Sequence, residues 1–305
     1  MDAQAEQILI PHPVHYYNDG NIVLVCQNVK FRLHQGILAA QSDVMKDMLA
    51  IPQPLSDSRQ TDSQDQTQST IDGVPAVWLM DALDALVILL DMILFKKAIW
   101  SHSLVEIMQV LDPVEKYCFD GLREFLKQYI LSKYTRDLSS FEHLDSPSLN
   151  GPETARVITI ARRLDIPDIL PLSFYTLAMA CSEAPVEHVV ELLSPLSLRD
   201  QASLLVGIVH LGDQADECLD ESIDDCFTGA CFLSYHDNTC RGMHELTADE
   251  RAQYRNYPLS FWMGSCGGVY ENRESACHFC RERLKDALKK SAENVVGALA
   301  SVFQI

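Results

Sequence analysis

Residues 19–49, DGNIVLVCQNVKFRLHQGILAAQSDVMKDML, constrain the fold more than any other stretch, because a strand period gives way there to a helix period. Ile22, Val23, Leu24 and Val25 are four β-favouring apolar residues in a row, which suits a strand buried on both faces. Gln27 and Asn28 offer a turn. Phe31 and Leu33 then alternate with Lys30 and Arg32, as on a half-buried strand. Residues 34–40 read as a short apolar helix, and Ser42 is a good N-cap for a second one with Val44, Met45, Met48 and Leu49 on its inner face. A hairpin followed by two short helices predicts a mixed α+β unit that presents surfaces rather than chemistry.

The same residues resemble the opening of a BTB/POZ domain, whose usual pattern is D-v-x-L followed by F-x-x-H-k-x-x-L-a-x-x-S-x-x-F-x-x-m. Leu24, Phe31, His34, Leu38, Ala39, Ser42 and Leu49 match it, and Met45 takes the place of the usual Phe. Asn21 stands where the family usually has Asp, and Gln35 where it often has Lys or Arg. In dimeric members that pair forms a charged pocket, so this chain keeps the pattern of the fold and drops the charges. His34 is a family position and reads as a packing histidine with a local hydrogen bond. The resemblance implies a small mixed sheet with helical hairpins, protein partners, and no enzymatic activity.

Composition narrows the rest. The chain has 305 residues, 47% of them hydrophobic, with only 13 Gly and 13 Pro, which predicts an ordered and mostly helical protein of about two domains. Its net charge of −19 argues against nucleic-acid backbone as a partner, since phosphate contacts need clustered Lys and Arg. The one basic run, Arg281, Arg283, Lys285, Lys289 and Lys290, reads as a solvated helix face. The first ten residues hold Asp2 and Glu6 and lack the basic start and apolar run of a secretory signal. The most apolar stretch, 74–95, is interrupted by Asp81, Asp84 and Asp91, which argues against a membrane span. The ten cysteines therefore read as reduced thiols, and the expected location is cytoplasmic or nuclear.

Along the chain, residues 1–14 read as a tail in which Pro11 and Pro13 favour extended backbone. Residues 15–135 are the expected BTB/POZ domain, with 51–73 a flexible polar insert rich in Ser, Gln and Asp and open to phosphorylation. A strand at 74–79 precedes a helix at 84–95 that is apolar nearly all round, hence buried. Ser103 and Glu106 make a capping box for a helix with Leu104, Ile107, Met108 and Leu111 on one face. Asp112 and Pro113 read as the cap and first turn of the next helix, whose face is Leu122, Phe125, Leu126, Tyr129 and Ile130. Residues 152–211 predict an all-α extension of two or three helix pairs, with Leu204, Leu205, Ile208 and Val209 as one apolar run. This part loosely resembles the helical extension of many fungal BTB proteins. Residues 212–305 hold seven of the ten cysteines, a short helix capped by Thr247 and Glu250, and closing helices from 281 to 303.

The cysteine-bearing region supplies the candidates for chemistry. Cys277 and Cys280 have the C-x-x-C spacing by which one turn gives two thiolates to Zn²⁺, with Cys231, Cys240, Cys266, His244 and His278 as further ligands. No second tight knuckle accompanies them, so buried free thiols packing as small apolar residues are the competing reading. Gly264-Ser-Cys266-Gly-Gly268 imitates a nucleophile elbow, but no βα repeat surrounds it and only His278 follows. His244-Glu245 begins a zinc-protease motif that Ala248 breaks, and Lys290-Ser291 lacks the glycines of a phosphate-binding loop.

The expectation is a non-enzymatic interaction module or adaptor without a cofactor. Recognition would rest on helix faces and on the loop after Leu49. Two variants stand beside it: a substrate adaptor for a cullin-type ubiquitin ligase, docking through 37–49 and 104–111, and a zinc-binding C-terminal module with the first domain as oligomeriser. The partners are proteins, either a second copy of the chain or a cullin-type scaffold, and neither nucleic acid nor membrane.

Overall fold

The apolar run at 22–26 becomes the central strand of a five-stranded sheet in the computed structural model, which describes residues 8–51, 70–135, 151–226, 246–256, 258–260 and 278–305. The architecture is mixed α and β and mostly helical. The chain falls into two units, Met1–Tyr129 and Ile130–Ile305.

In the first unit the strands are β1 (Ile10–Tyr16), β2 (Ile22–Cys26), β3 (Val29–Leu33), β4 (Thr70–Ile71) and β5 (Val74–Leu79), in the order β1-β3-β2-β5-β4. All five residues of β2 are buried, because β2 pairs antiparallel with β3 on one side and parallel with β5 on the other. Gln27 makes the tight turn between β2 and β3 with a left-handed backbone, φ 55°. The helices are α1 (Gln35–Gln41), α2 (Asp43–Ala50), α3 (Leu83–Ile93), α4 (Leu104–Lys116) and α5 (Asp120–Tyr134), with a 3₁₀ turn at Ile99–Ser101.

Local chemistry explains where these helices start. Ser42 caps α2, its Oγ accepting the Met45 N–H at 2.9 Å while its hydroxyl donates to the Tyr117 carbonyl. The N-cap residue of α1, His34, supplies no side-chain cap, and Asn21, just before β2, does so: its Oδ1 accepts the Gln35 N–H at 2.8 Å. Ser103 and Glu106 form the reciprocal capping box of α4.

Several sequence expectations are corrected in this unit. Residues 10–14, read as tail, belong to β1, which runs parallel to β3 at the sheet edge. Residues 70–73, read as part of the flexible insert, form β4 and a hairpin turn at Asp72 and Gly73, both left-handed. The rest of that insert, 52–69, lies outside the described residues, as does 136–150. Pro113 does not begin a helix but lies inside α4, and the chain breaks instead at Cys118, φ 51°. Proline removes one N–H and tolerates the rest of a helix whose packing holds it, and Pro113 is buried with Val110, Leu111 and Val114. Val44 is exposed, so the inner face of α2 is carried by Met45 and Leu49. Phe95 is not in the buried helix, which ends two residues earlier.

The second unit contains α6 (Gly151–Leu164), a 3₁₀ turn at Pro167–Ile169, α7 (Leu170–Glu183), α8 (Val186–Leu193), α9 (Leu198–Cys226), α10 (Ala248–Asn256), α11 (Pro258–Ser260) and α12 (His278–Val302). Val157, Ile160, Ala161 and Leu164 of α6 are buried as their spacing requires. Helix α9 is uninterrupted through 211 and 212, where the composition changes, and it packs along α12. Its buried stripe is Leu204, Leu211, Ala215, Cys218, Leu219 and Ile223. Leu205 and Val209, expected inside, are 53% and 69% exposed. The contact with α12 is close because position 207 is glycine: a Cβ there would lie 1.9 Å from the buried Phe303 ring. Thr247 and Glu250 form the expected capping box of α10.

Candidate functional site

The first unit carries an apolar groove of about 750 Å³. Its floor is Met92 and Ile93 from the end of α3 with Ala40 from α1; one wall is the connection Ala98–Ile99–Trp100, and the other is Gly121, Leu122 and Phe125 at the start of α5. The small residues Ala40, Ala98 and Gly121 leave the space open. Three large rings stand around it: Phe95 is 90% exposed, Trp100 71% and Phe125 50%. Clusters of exposed rings of this kind, around a concave apolar surface, mark recognition sites.

Phe95 is placed by an unusual backbone. Helix α3 ends with Leu94 at its C-cap, and Phe95 takes the left-handed conformation, φ 53°, that glycine usually supplies. The Lys96 N–H then bonds the Asp91 carbonyl at 2.9 Å and closes the helix end. A bulky residue in that conformation costs about 1 kcal/mol. Phe95 therefore carries both backbone strain and an exposed ring.

A polar cluster braces the groove wall from behind. Lys97 lines the groove, and its Nζ bonds Glu106 Oε1 at 2.7 Å; Glu106 Oε2 accepts the Ser103 N–H at 2.8 Å. The Lys97 ammonium is the main reason that Glu106 is held down to about 2. His102 lies beneath this pair with its side chain 1% exposed. Its Nδ1 stands 3.5 Å from Glu106 Oε1 without hydrogen-bond alignment, and among the described residues neither ring nitrogen has a hydrogen-bond partner. Burial, reinforced by Lys97, pushes the His102 pKa down, so the ring is neutral near pH 7. Asp91, on α3, is bound by the fully buried His15, Nε2 to Oδ1 at 2.8 Å. Burial also lowers His15, against the opposing pull of Asp91.

The positions singled out by sequence fall into three groups. Asn21 and Gln35 are spent on structure: Asn21 caps α1, and the Gln35 side-chain amide donates to the Leu49 carbonyl at 3.3 Å. His34 is half-buried, tilts against Tyr17, and lies 3.2 Å from Asp19 Oδ2. The metal candidates Cys266 and Cys277, with Cys231, Cys240 and His244, lie outside the described residues; Cys280 and His278 open α12, but their side chains are not described. Among the described residues no group of three or more His, Cys, Asp or Glu could hold a metal ion. Cys26, Cys181 and Cys218 are buried, and burial raises each thiol, which suits inert packing. No described helix is long and apolar enough to cross a membrane.

Sequence reasoning missed the groove. Its parts come from helix ends 80 residues apart, and the one local signal was the run Phe95-Lys-Lys-Ala-Ile-Trp100, where the helical period stops while large apolar residues continue. Compared with known proteins, the chain matches no family model, and neither a curated protein nor a solved structure matches it.

Proposed function

We propose that this chain is a non-enzymatic protein–protein interaction module or adaptor whose first unit is a BTB-like frame. The observation that carries the reading is the groove ringed by Phe95, Trp100 and Phe125. Its lining is apolar except for Gln41 and Lys97, and Lys97 is neutralised by Glu106. Such a surface suits the apolar stripe of a partner helix, read as anchors at i, i+4 and i+7. The order of hairpin, two short helices, parallel strand and helices also supports the family resemblance. Selection of helical peptides on the full chain tests the proposal. Peptides with an apolar stripe should emerge and lose at least tenfold in affinity against Phe95→Asp; equal binding to that variant would remove the groove from the reading.

A cullin-type ligase adaptor is the more specific version. It draws support from Ile37, Val44 and Val105, which are 40%, 38% and 43% exposed on α1, α2 and α4. Titration with a purified cullin N-terminal domain decides it. Micromolar binding that Val105→Asp weakens is expected, and absence of binding ends this version.

A further inference from the structure

We propose that His102 is a proton-operated latch on the groove wall, releasing the apolar ligand when the solution is acidified. This rests on the reading of the groove as a binding site. The wall from Phe95 to Ser101 is tied to α4 through one carboxylate oxygen, Glu106 Oε1, which Lys97 occupies at 2.7 Å. The buried His102 ring waits 3.5 Å from that same oxygen with no hydrogen-bond partner among the described residues. A neutral imidazole in this position makes no claim on the carboxylate. An imidazolium must make one, because a buried charge without a partner is far costlier than a buried dipole.

Among the described residues, the charged groups that act on the ring are Lys97 on the connection, Glu106 on α4 and Asp91 on α3. Asp91 is already engaged by His15 from β1, beside Lys96. Glu106 is therefore the carboxylate that His102 can take. When it does, Lys97 loses its partner and leaves an uncompensated ammonium on the apolar lining, where it must be hydrated. Water admitted at the wall weakens whatever apolar side chain sits there. Because burial and Lys97 both hold the ring's proton affinity down, the latch works below the usual histidine midpoint of about 6.5.

The test uses the full chain and an uncharged solvatochromic dye, Nile red, titrated between pH 7.5 and 5. Wild type should lose dye affinity severalfold through a midpoint under pH 6.5. His102→Gln should keep the affinity of pH 7.5 down to pH 5, while His15→Gln retains the loss. Lys97→Met should abolish the acid-induced loss of dye affinity, since no ammonium is left to be freed when His102 takes Glu106; a merely structural His102 would leave that loss in place. If His102→Gln does not fold, Lys97→Met decides, and an acid-induced loss as large as that of wild type overturns the latch. Phe95→Asp separates the two readings. Dye binding insensitive to that substitution at both pH values sinks the groove, whereas a Phe95-dependent but pH-independent signal sinks the latch alone.

Discussion

The two units treat buried polar groups in opposite ways. In the second unit they are hydroxyls satisfied close by: Ser173 donates to the Ile169 carbonyl at 2.7 Å, and Tyr254 and Ser291 share a bond of 2.5 Å between α10 and α12. Its buried carboxylate, Asp200, takes the Arg162 guanidinium at 2.9 Å and the Ser197 hydroxyl at 2.8 Å. In the first unit the buried polar side chains include His15 and His102, and three of their four ring nitrogens have no hydrogen-bond partner among the described residues. Locally satisfied hydroxyls do not titrate near neutrality, whereas a buried imidazole does. The buried hydroxyls of the second unit thus keep one protonation state over the ordinary pH range, whereas the buried imidazoles of the first are conditional. Left-handed backbone occurs in both units, at Asp165 and Gln304 in the second, but the aromatic residue that carries it, Phe95, stands beside the groove of the first.

The sharpest way to break the comparison is to attack packing in the second unit. Phe303 is fully buried, tilts against Phe174 with centroids 5.5 Å apart, and fills the notch at Gly207. Phe303→Ala should remove about 3–5 kcal/mol in denaturant titration, with no change in pH dependence. Gly207→Ala should cost less. Overpacking against the ring takes about 1–3 kcal/mol, and the better helix propensity of alanine returns about 1 kcal/mol. Combining it with Phe303→Leu should cost less than the two single losses added together, because both act on one contact. Strict additivity would show that Gly207 does not owe its place to that ring.

Acidification should act on the other side of the comparison. His12, His15 and His102 all lie in the first unit with pKa values lowered, chiefly by burial. A lowered histidine means that the unfolded chain binds more protons than the folded one. The stability it contributes is complete above pH 6.5 and is lost as the pH falls toward the folded value. Hydrogen exchange of β1, β3 and α4 should therefore accelerate between pH 7 and 5, while α9 and α12 keep their protection. Equal acceleration in both units would remove the contrast.

The capping chemistry was legible because it is local. Ser42, the Ser103/Glu106 box and the Thr247/Glu250 box each need only the right residue three positions from another, and all three form. The central strand was legible for a similar reason, since a continuous β-favouring apolar run has few places to go but the middle of a sheet. What failed was whatever depends on distant partners. Pro113 carries a start signal, but packing of its neighbours overrides it. Leu205 and Val209 sit one step off the stripe that α12 selects through Phe303, and nothing within α9 reports that choice. Asp72-Gly73 was a readable hairpin turn, hidden by the polar composition of the residues before it. The groove was least legible, since a cavity is a property of three elements at once.

The smallest expected effect is the one that separates stability from recognition most directly. Phe95→Asn places at φ 53° a residue that tolerates the left-handed region, and it removes an exposed ring without adding the chain entropy of glycine. If the first unit existed only to be folded, this position would already carry such a residue. The variant should gain about 0.5–1 kcal/mol in the transition of the first unit, read by denaturant titration, because the strain of the wild-type residue is relieved. It should also lose groove ligands as completely as Phe95→Asp does. A variant that gained stability and kept full binding would show the ring to be incidental. A variant that lost stability would show that Phe95 packs usefully on Met92 or Trp100, so that the groove is braced by its own rim. Stability gained at the expense of binding would mark residue 95 as the point where the fold yields to recognition.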